Sequence, residues 1–415
     1  MKNKFTNLLR WSEQYTQTDM LYLASSGFWS TVGQIVTFLF SFLLVWAFAH
    51  FLSKETYGTY KFVLSIFALL SITTLPGMRI AITRAVARGE SGTIHTLTNL
   101  RSLFGLIGSF GSLVISAYYY LNSNTELATL FLIAAIFVPL YNSYDGYEVY
   151  LQGYKNFRLK AFFQIAQRAF VSIATIAVIF LSDNIHVVTA AYFTTFTFIT
   201  YILYRNSLRA HPSNTAVDPD AKKLGFHLTG MSILTVGVAH IDKVLLFHFV
   251  GPAQLAIYFF ALSLPQEIRG LIAQVTNIAL PKFATNHGKE AARTLWRKLS
   301  ILLLLLIAPV LGYILVAPYL FQFFFPQYIE SVFYSQILIL FTFFIPVELI
   351  QSFITARGDI RSIHVATISS SIVFIIVLLL LLPTYGIIGA IVAMLAQQIV
   401  RSLVLTYKLA TMSTK

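Results

Sequence analysis

The sequence predicts an all-α polytopic membrane protein of about twelve transmembrane helices, and three observations carry that prediction. Of its 415 residues, 57% are hydrophobic and 11% charged, against about 45–50% apolar and about 25% charged in an ordinary soluble domain. Apolar runs of about 18 residues or more recur along the whole chain, each long enough to cross a hydrocarbon layer of about 30 Å as a helix. The connections between these runs alternate between basic and bare. There is no cysteine, which excludes disulfides, thiolate metal sites and cysteine nucleophiles.

Taken in order, the spans fall at 21–49, 59–77, 102–120, 127–145, 160–181, 187–204, 226–250, 256–280, 299–325, 332–356, 363–383 and 386–408. The first eighteen residues are polar. The apolar stretch behind them is longer than a secretory signal and lacks a small-residue cleavage site, so the first span is expected to be retained. The segments at 78–101, 146–160, 205–225, 281–298 and 357–361 are basic, with Arg79, Arg84, Lys155, Lys222, Arg297 and Arg357 among their residues. LNSNTE at 121, SDNIH at 182, GPAQL at 251, PQYIES at 326 and PTYG at 383 hold no lysine or arginine, and Lys54 is the exception to the alternation. Basic residues in short connections stay on the cytoplasmic side, so both termini are expected there. The same rule accounts for the net charge of +13 without nucleic acid as a partner. The expected organisation is a cytoplasmic segment at 1–20, an N-lobe of helices 1–6 over 21–204, a cytoplasmic linker at 205–225, a C-lobe of helices 7–12 over 226–408, and a tail at 409–415.

The two halves repeat one another. HFLSKETYGTYKFVLS at 50 aligns with HFVGPAQLAIYFFALS at 248, matching His50 with His248, Tyr60 with Tyr258, Phe62 with Phe260 and Ser65 with Ser263. A looser echo pairs YLQGYKNFRLKAF at 150 with ITARGDIRSIHVA at 354. Halves of six spans that both start in the cytoplasm are parallel copies, related by an axis along the membrane normal.

Enzyme signatures are absent: the chain has no Walker loop, no dinucleotide fingerprint after a strand and no HExxH pair, so neither a cofactor nor a resident metal is expected and no catalytic residue is assigned. Ionisable and amide groups within spans are what remain, and such groups usually face a bundle interior or an aqueous cavity. In the eighth span Ser263, Glu267, Gly270, Gln274 and Asn277 recur at intervals of four and three, one helical face with Arg269 beside it. Pro265 removes a backbone hydrogen bond there and predicts a bend or local opening. Such amides also serve simply to join helices.

In the seventh span, Asp242 falls about 12 Å from the outer end. Lys243 has the reach to snorkel outward and Asp242 does not. Adjacent residues point about 100° apart on a helix, so the two need not pair, and Arg269 or Arg168 are expected partners for Asp242. An ion pair that only fixes helix register is the alternative. His240 and His248 flank this run, and neither sits in a metal-like cluster. Gln164, Gln167 and Arg168 share a face in the fifth span, as Glu348, Gln351 and Ser352 do in the tenth. Arg168, placed near the cytoplasmic end, has the alternative of snorkelling. Arg168, Lys243 and Arg269 balance Asp242, Glu267 and Glu348, while Arg79 and Arg84 crowd the cytoplasmic mouth. An anion entering from that side meets an attractive field, and a cationic drug does not.

ETYGTYKFVLS at 55, DKVLLFHFVGPAQLAIYFFALS from Asp242, NIALPKFA at 277 and LQGYKNFR at 151 resemble the Wzx-type flippases of the multidrug/oligosaccharidyl-lipid/polysaccharide (MOP) superfamily over nearly the whole chain. Ala256 departs from the pattern, standing where the family has the glycine that Gly58 supplies in the first half. The resemblance implies a MOP flippase-like fold and movement of an undecaprenyl-pyrophosphate-linked oligosaccharide, such as an O-antigen unit of lipopolysaccharide or another surface polysaccharide. The movement would run from the cytoplasmic to the outer leaflet of a bacterial cytoplasmic membrane, by alternating access.

It further implies a cationic cavity of Arg168, Lys243, Arg269, Arg79 and Arg84 for phosphate or acidic sugars, since such groups bind arginine and lysine strongly. Asp242, Glu267 and Glu348, with Gln164, Gln274, Asn277 and His240, would line it or couple transport to protons or sodium. Pathway partners would be a polymerase and a chain-length regulator. Three other readings compete. A drug or cation antiporter of the superfamily would place acids in the first lobe, where the first two spans have none. A peptidoglycan-precursor flippase usually has about fourteen spans, a count that belongs to that resemblance and not to the length of this chain. A membrane-embedded glycan enzyme would carry catalytic acids in large outer loops, and here those loops are short.

Overall fold

The computed structural model describes residues 20–279, 289–357 and 359–414, with the side chains of 20–26, 273–279, 289–295, 298, 356 and 412–414 left aside. Among these residues, eleven helices are long and apolar enough to cross a membrane, and a twelfth span arises when two helices joined at a 50° bend are taken as one. The helices are α1 (Met20–Phe51), α2 (Lys54–Leu70), α3 (Met78–Ala87), α4 (Thr93–Leu121), α5 (Thr125–Tyr141), α6 (Gly146–Gly153), α7 (Phe157–Leu181), α8 (Ile185–Ala210), α9 (Ala221–Phe249), α10 (Pro252–Ala279), α11 (Lys289–Phe324), α12 (Ser331–Leu338), α13 (Ile345–Ala356), α14 (Ile360–Tyr385) and α15 (Ile387–Thr414). The all-helical, roughly twelve-span architecture is therefore as the sequence predicts.

Helix starts follow local capping chemistry. Ser53 accepts from the Thr56 amide at 3.1 Å, Asn124 from Leu127 at 2.9 Å, Asn156 from Leu159 at 3.1 Å and Asp359 from Ser362 at 3.1 Å. Each satisfies an amide that the first turn leaves without an intrahelical acceptor. Pro139, Pro265, Pro309 and Pro383 all lie inside helices. α10 runs through Pro265 as one helix, so no opening interrupts it there.

The basic stretch expected as a connection at 78–101 is instead mostly helical, with α3 and α4 leaving only residues 88–92 between them. The break that starts it is at Leu75-Pro76-Gly77. Proline cannot donate to the preceding turn, and Leu75 takes a left-handed conformation with φ 56°. Gly77 then lets two backbones meet: a Cβ there would lie 2.4 Å from the Thr229 nitrogen, and its own amide donates to the Thr229 hydroxyl at 3.1 Å.

The contacts group the chain into two compact units, residues 35–256 and residues 257–415 with the start of α1. In the first, α3 buries Met78, Ala81 and Ile82 against Ile94 and Leu97 of α4, Tyr147, Tyr150 and Leu151 of α6, and Leu203 of α8. α9 belongs to this unit, packing on α2 and α3, and Phe247 stacks on Phe62 with centroids 3.9 Å apart. In the second, Leu299 of α11, Leu349 and Phe353 of α13, Ala366 of α14 and Leu405 of α15 form one core, and Val310, Tyr313 and Ile339 another. Large apolar side chains such as Leu103, Phe110, Leu304 and Leu315 remain exposed, as they do on faces that meet hydrocarbon.

The internal repeat has a structural counterpart. α1 ends at Phe51 and α2 begins at Lys54, while α9 ends at Phe249 and α10 begins at Pro252, so both boundaries recur at an offset of 198 residues. Tyr60 and Tyr258, and Phe62 and Phe260, are buried in both copies. The second echo falls one residue from its expected register. The helix caps Asn156 and Asp359 correspond at an offset of 203, whereas letter matching set 150 over 354. A cap is fixed by backbone geometry and outranks composition as a register mark. Gly58 also finds its reason here, because a Cβ on it would lie 1.9 Å from the Pro252 carbonyl oxygen.

Candidate functional site

Arg168 is the twelfth of the 25 residues of α7, about 16 Å from one end of the helix and about 20 Å from the other at 1.5 Å per residue. Both distances exceed the reach of an arginine stem, so its guanidinium does not extend to either end of α7. The sequence had set the span to begin at 160 and so placed Arg168 near an end. Its side chain is exposed, and among the described residues no carboxylate lies within ion-pair distance of it. Gln164, one turn earlier, is half-buried. Gln167 accepts from the Tyr147 hydroxyl at 3.0 Å and donates to Thr200 at 2.5 Å, which ties this face of α7 to α6 and α8.

A second cation stands within electrostatic range of Arg168: Lys61, two turns into α2. Its ammonium is 5.3 Å from the Tyr57 ring centre and 6.0 Å from that of Tyr60, distances at which the face of a phenol ring attracts a cation. Tyr60 meets Tyr192 edge-on, and the Tyr141 and Tyr192 hydroxyls are 3.3 Å apart. Two like charges in electrostatic range of one another repel, and here they do so beside the phenols of Tyr57, Tyr60, Tyr141 and Tyr192. Lys61 was missed in the sequence, although a lysine seven residues into an apolar helix is a readable signal.

Of the other candidate cations, Arg79, Lys243 and Arg269 are paired. Arg79 is bonded to Asp145 and, at 2.8 Å, to Glu148. Asp145 also receives Arg101 at 2.6 Å, and Arg101 donates from Nε to the Thr74 carbonyl at 3.1 Å. Arg101 is 1% exposed. Its role went unseen because it was read as part of a basic connection. Arg84 is exposed on α3.

Lys243 donates to both oxygens of Asp242, at 3.0 and 3.2 Å, and to the Ala239 carbonyl at 2.6 Å. The expectation that these neighbours turn apart is thus overturned. The Cα directions differ by about 100°, but the four-carbon stem of lysine folds back over the preceding turn and closes the gap. Asp242 is 3% exposed. His240 is half-buried with its Nδ1 unpartnered, and His248 is exposed.

In the second unit, Arg269 of α10 donates to Glu348 of α13 at 2.5 Å. Glu348 sits in the first turn of α13 just after Pro346, where the helix dipole favours a carboxylate. Arg401, halfway along α15, donates to Gln351 and lies within electrostatic range of Glu348 and Arg269. It too was missed, although it interrupts an apolar span. Glu267 is half-buried, while Ser263 donates to the Phe260 carbonyl at 2.8 Å within its own helix. The side chains of Gln274 and Asn277 lie outside the described residues.

A family model described as polysaccharide biosynthesis protein matches residues 23–287. No curated relative matches by sequence. Among solved structures, the chain is similar to the lipid II flippase MurJ in an inward closed conformation, with 16% identity, a TM-score of 0.70, and 93% of this chain and 87% of that one covered. It is also similar to an inward-facing multidrug resistance MATE family transporter of the MOP superfamily, with 15% identity, a TM-score of 0.65, and 93% and 99% covered. At these identities the likeness establishes the fold.

Proposed function

Since the chain belongs to the polysaccharide biosynthesis protein family and has a MOP-type transporter fold, we propose that it flips an undecaprenyl-pyrophosphate-linked oligosaccharide, a repeat unit of O-antigen or another surface polysaccharide, across the bacterial cytoplasmic membrane. Arg168 carries the reading. It is a mid-span cation with no acid paired to it among the described residues, and Lys61 is within electrostatic range. An uncompensated charge at that depth is costly unless water or an anion meets it. A pyrophosphate offers several acceptor oxygens, which guanidinium and ammonium groups bind with charge-assisted hydrogen bonds. The tyrosines around Lys61 supply the flat, hydroxyl-bearing surface that sugars and isoprenoid chains both tolerate.

The cycle would be alternating access by lobes at 21–204 and 226–408. Arg269, Lys243, Arg79 and Arg84 are secondary candidates for the anion, and Asp242, Glu267 and Glu348 for proton or sodium coupling. A polymerase and a chain-length regulator would act on the product. The test is the initial rate of translocation of a fluorescent undecaprenyl-pyrophosphate oligosaccharide in proteoliposomes. Arg168→Ala should slow it by roughly ten- to a hundredfold, the worth of one or two charged hydrogen bonds, and Arg168→Lys should retain part of the rate. Wild-type rates in both Arg168→Ala and Lys61→Ala would overturn the reading.

A further inference from the structure

At one end of the 35–256 unit, three corners of the chain are clasped together. Asn214 accepts from the Ser91 hydroxyl at 3.1 Å and the Gly92 amide at 3.2 Å, and the Asp218 amide donates to Thr93 at 2.9 Å. His211 stacks on Tyr154 with centroids 4.5 Å apart, and the Tyr150 hydroxyl donates to the His211 carbonyl at 2.8 Å. These bonds bring the 88–93 turn, the α6–α7 corner and the segment after α8 to one place.

Three helices leave this place with the same pattern. Arg158 of α7, Arg205 of α8 and Lys222 of α9 are exposed. One helical turn from each, on the side toward the apolar span, lies an exposed aromatic residue: Phe162 at 63%, Tyr201 at 40% and Phe226 at 41%. Residues four apart share a helical face, and Arg205 comes within 3.5 Å of the Tyr201 hydroxyl. The acids of this region are largely turned inward. Asp218 is buried, Glu148 is held by Arg79 and Glu90 is half-buried with Oε2 turned inward, while Asp220 is exposed.

We propose that this end of the unit is a docking surface for anionic phospholipids, each basic side chain meeting a headgroup phosphate while the aromatic ring one turn away packs on the glycerol and upper acyl chain. A cation placed directly above exposed hydrocarbon is complementary to a molecule that carries its phosphate directly above hydrocarbon. A soluble acidic protein would find the charges but no use for Phe162 and Phe226, which point where acyl chains run. The inference rests on the spans and the clasp, independently of what the protein transports.

The experiment titrates the purified full-length protein with phosphatidylglycerol, phosphatidylcholine and inorganic phosphate, with bound lipid read by native mass spectrometry. The wild type should prefer phosphatidylglycerol to phosphatidylcholine. Each basic group near an anionic surface is worth about a fivefold change in affinity, so Arg158→Gln, Arg205→Gln and Lys222→Gln together should lower that preference by roughly a hundredfold while the melting temperature in phosphatidylcholine stays unchanged. If the triple variant does not fold, Lys222→Gln alone should lose about fivefold. Equal affinity of the wild type for the two lipids, an unchanged preference in the folded variants, or competition by inorganic phosphate at the same concentration as the lipid would each overturn the proposal.

Discussion

Asp242 and Lys243 form a buried pair within one helix, and the pair sets up a test of what the carboxylate is for. Asp242→Asn removes the carboxylate bonded to a largely buried ammonium, and removing one partner of a buried pair costs about 3–5 kcal/mol. The melting temperature should fall accordingly, and Asp242→Glu should keep most of it. The double variant Asp242→Asn with Lys243→Met removes both charges and should regain stability, since apolar replacements of buried pairs are often neutral or better. If the carboxylate couples transport to an ion, the double variant will be stable yet slow in the proteoliposome assay. Recovery of both properties would make the pair a packing feature alone. Arg168 poses the opposite case, a cation near the centre of its helix with no acid within ion-pair distance among the described residues.

At the scale of elements, the broken second span is the feature with the clearest energetic consequence. Arg101 donates to the carbonyl of Thr74, which the break at Leu75 leaves without an intrahelical donor, and also bonds Asp145 just before α6. One buried guanidinium thus fastens the ends of two interrupted spans. Gly77→Ala would press a methyl group onto the Thr229 backbone, and overpacking of that kind costs about 1–3 kcal/mol. A lowered melting temperature in Gly77→Ala, with the neighbouring exposed variant Ile80→Ala near wild type, is the expected outcome of a thermal scan.

At the other end of the chain, Lys408 of α15 and the Ser362 amide hold the Asp359 carboxyl down to about 2. A carboxyl depressed in the folded state stabilises above its unfolded pKa of about 3.9 and loses that effect as pH falls through the folded value. Between about pH 4 and pH 2, the stability of Asp359→Asn should therefore decline less steeply than that of the wild type, as read by thermal unfolding at each pH.

For the whole molecule, much was legible in the sequence because membrane spans are written locally. Hydrocarbon thickness fixes the length of an apolar run, and every backbone amide in it must be satisfied within the helix. The twelve-span plan, the recurrence at 198 residues and the prominence of Arg168 could therefore be read without coordinates. The caps that start α5, α7 and α14 were not read from the sequence, although each joins a side chain to an amide only three positions on.

The pairing of charges could not be read in this way. Arg79 and Arg101 share Asp145, Arg269 meets Glu348 across 79 positions, and Lys61 comes near Arg168 from a helix more than a hundred residues away. Sequence spacing says which face of a helix carries a charge, and the order of helices around that face is a tertiary matter. Even the Asp242–Lys243 contact, between adjacent residues, was decided by the fold of a long flexible stem rather than by the direction of its first bond. The sequence by itself determined where the chain crosses and which residues are costly in lipid, because both follow from local hydration energies. Only the tertiary structure decided which of those charges are neutralised and which stand open, because Coulombic pairing acts over a few ångströms between atoms the chain brings together from afar.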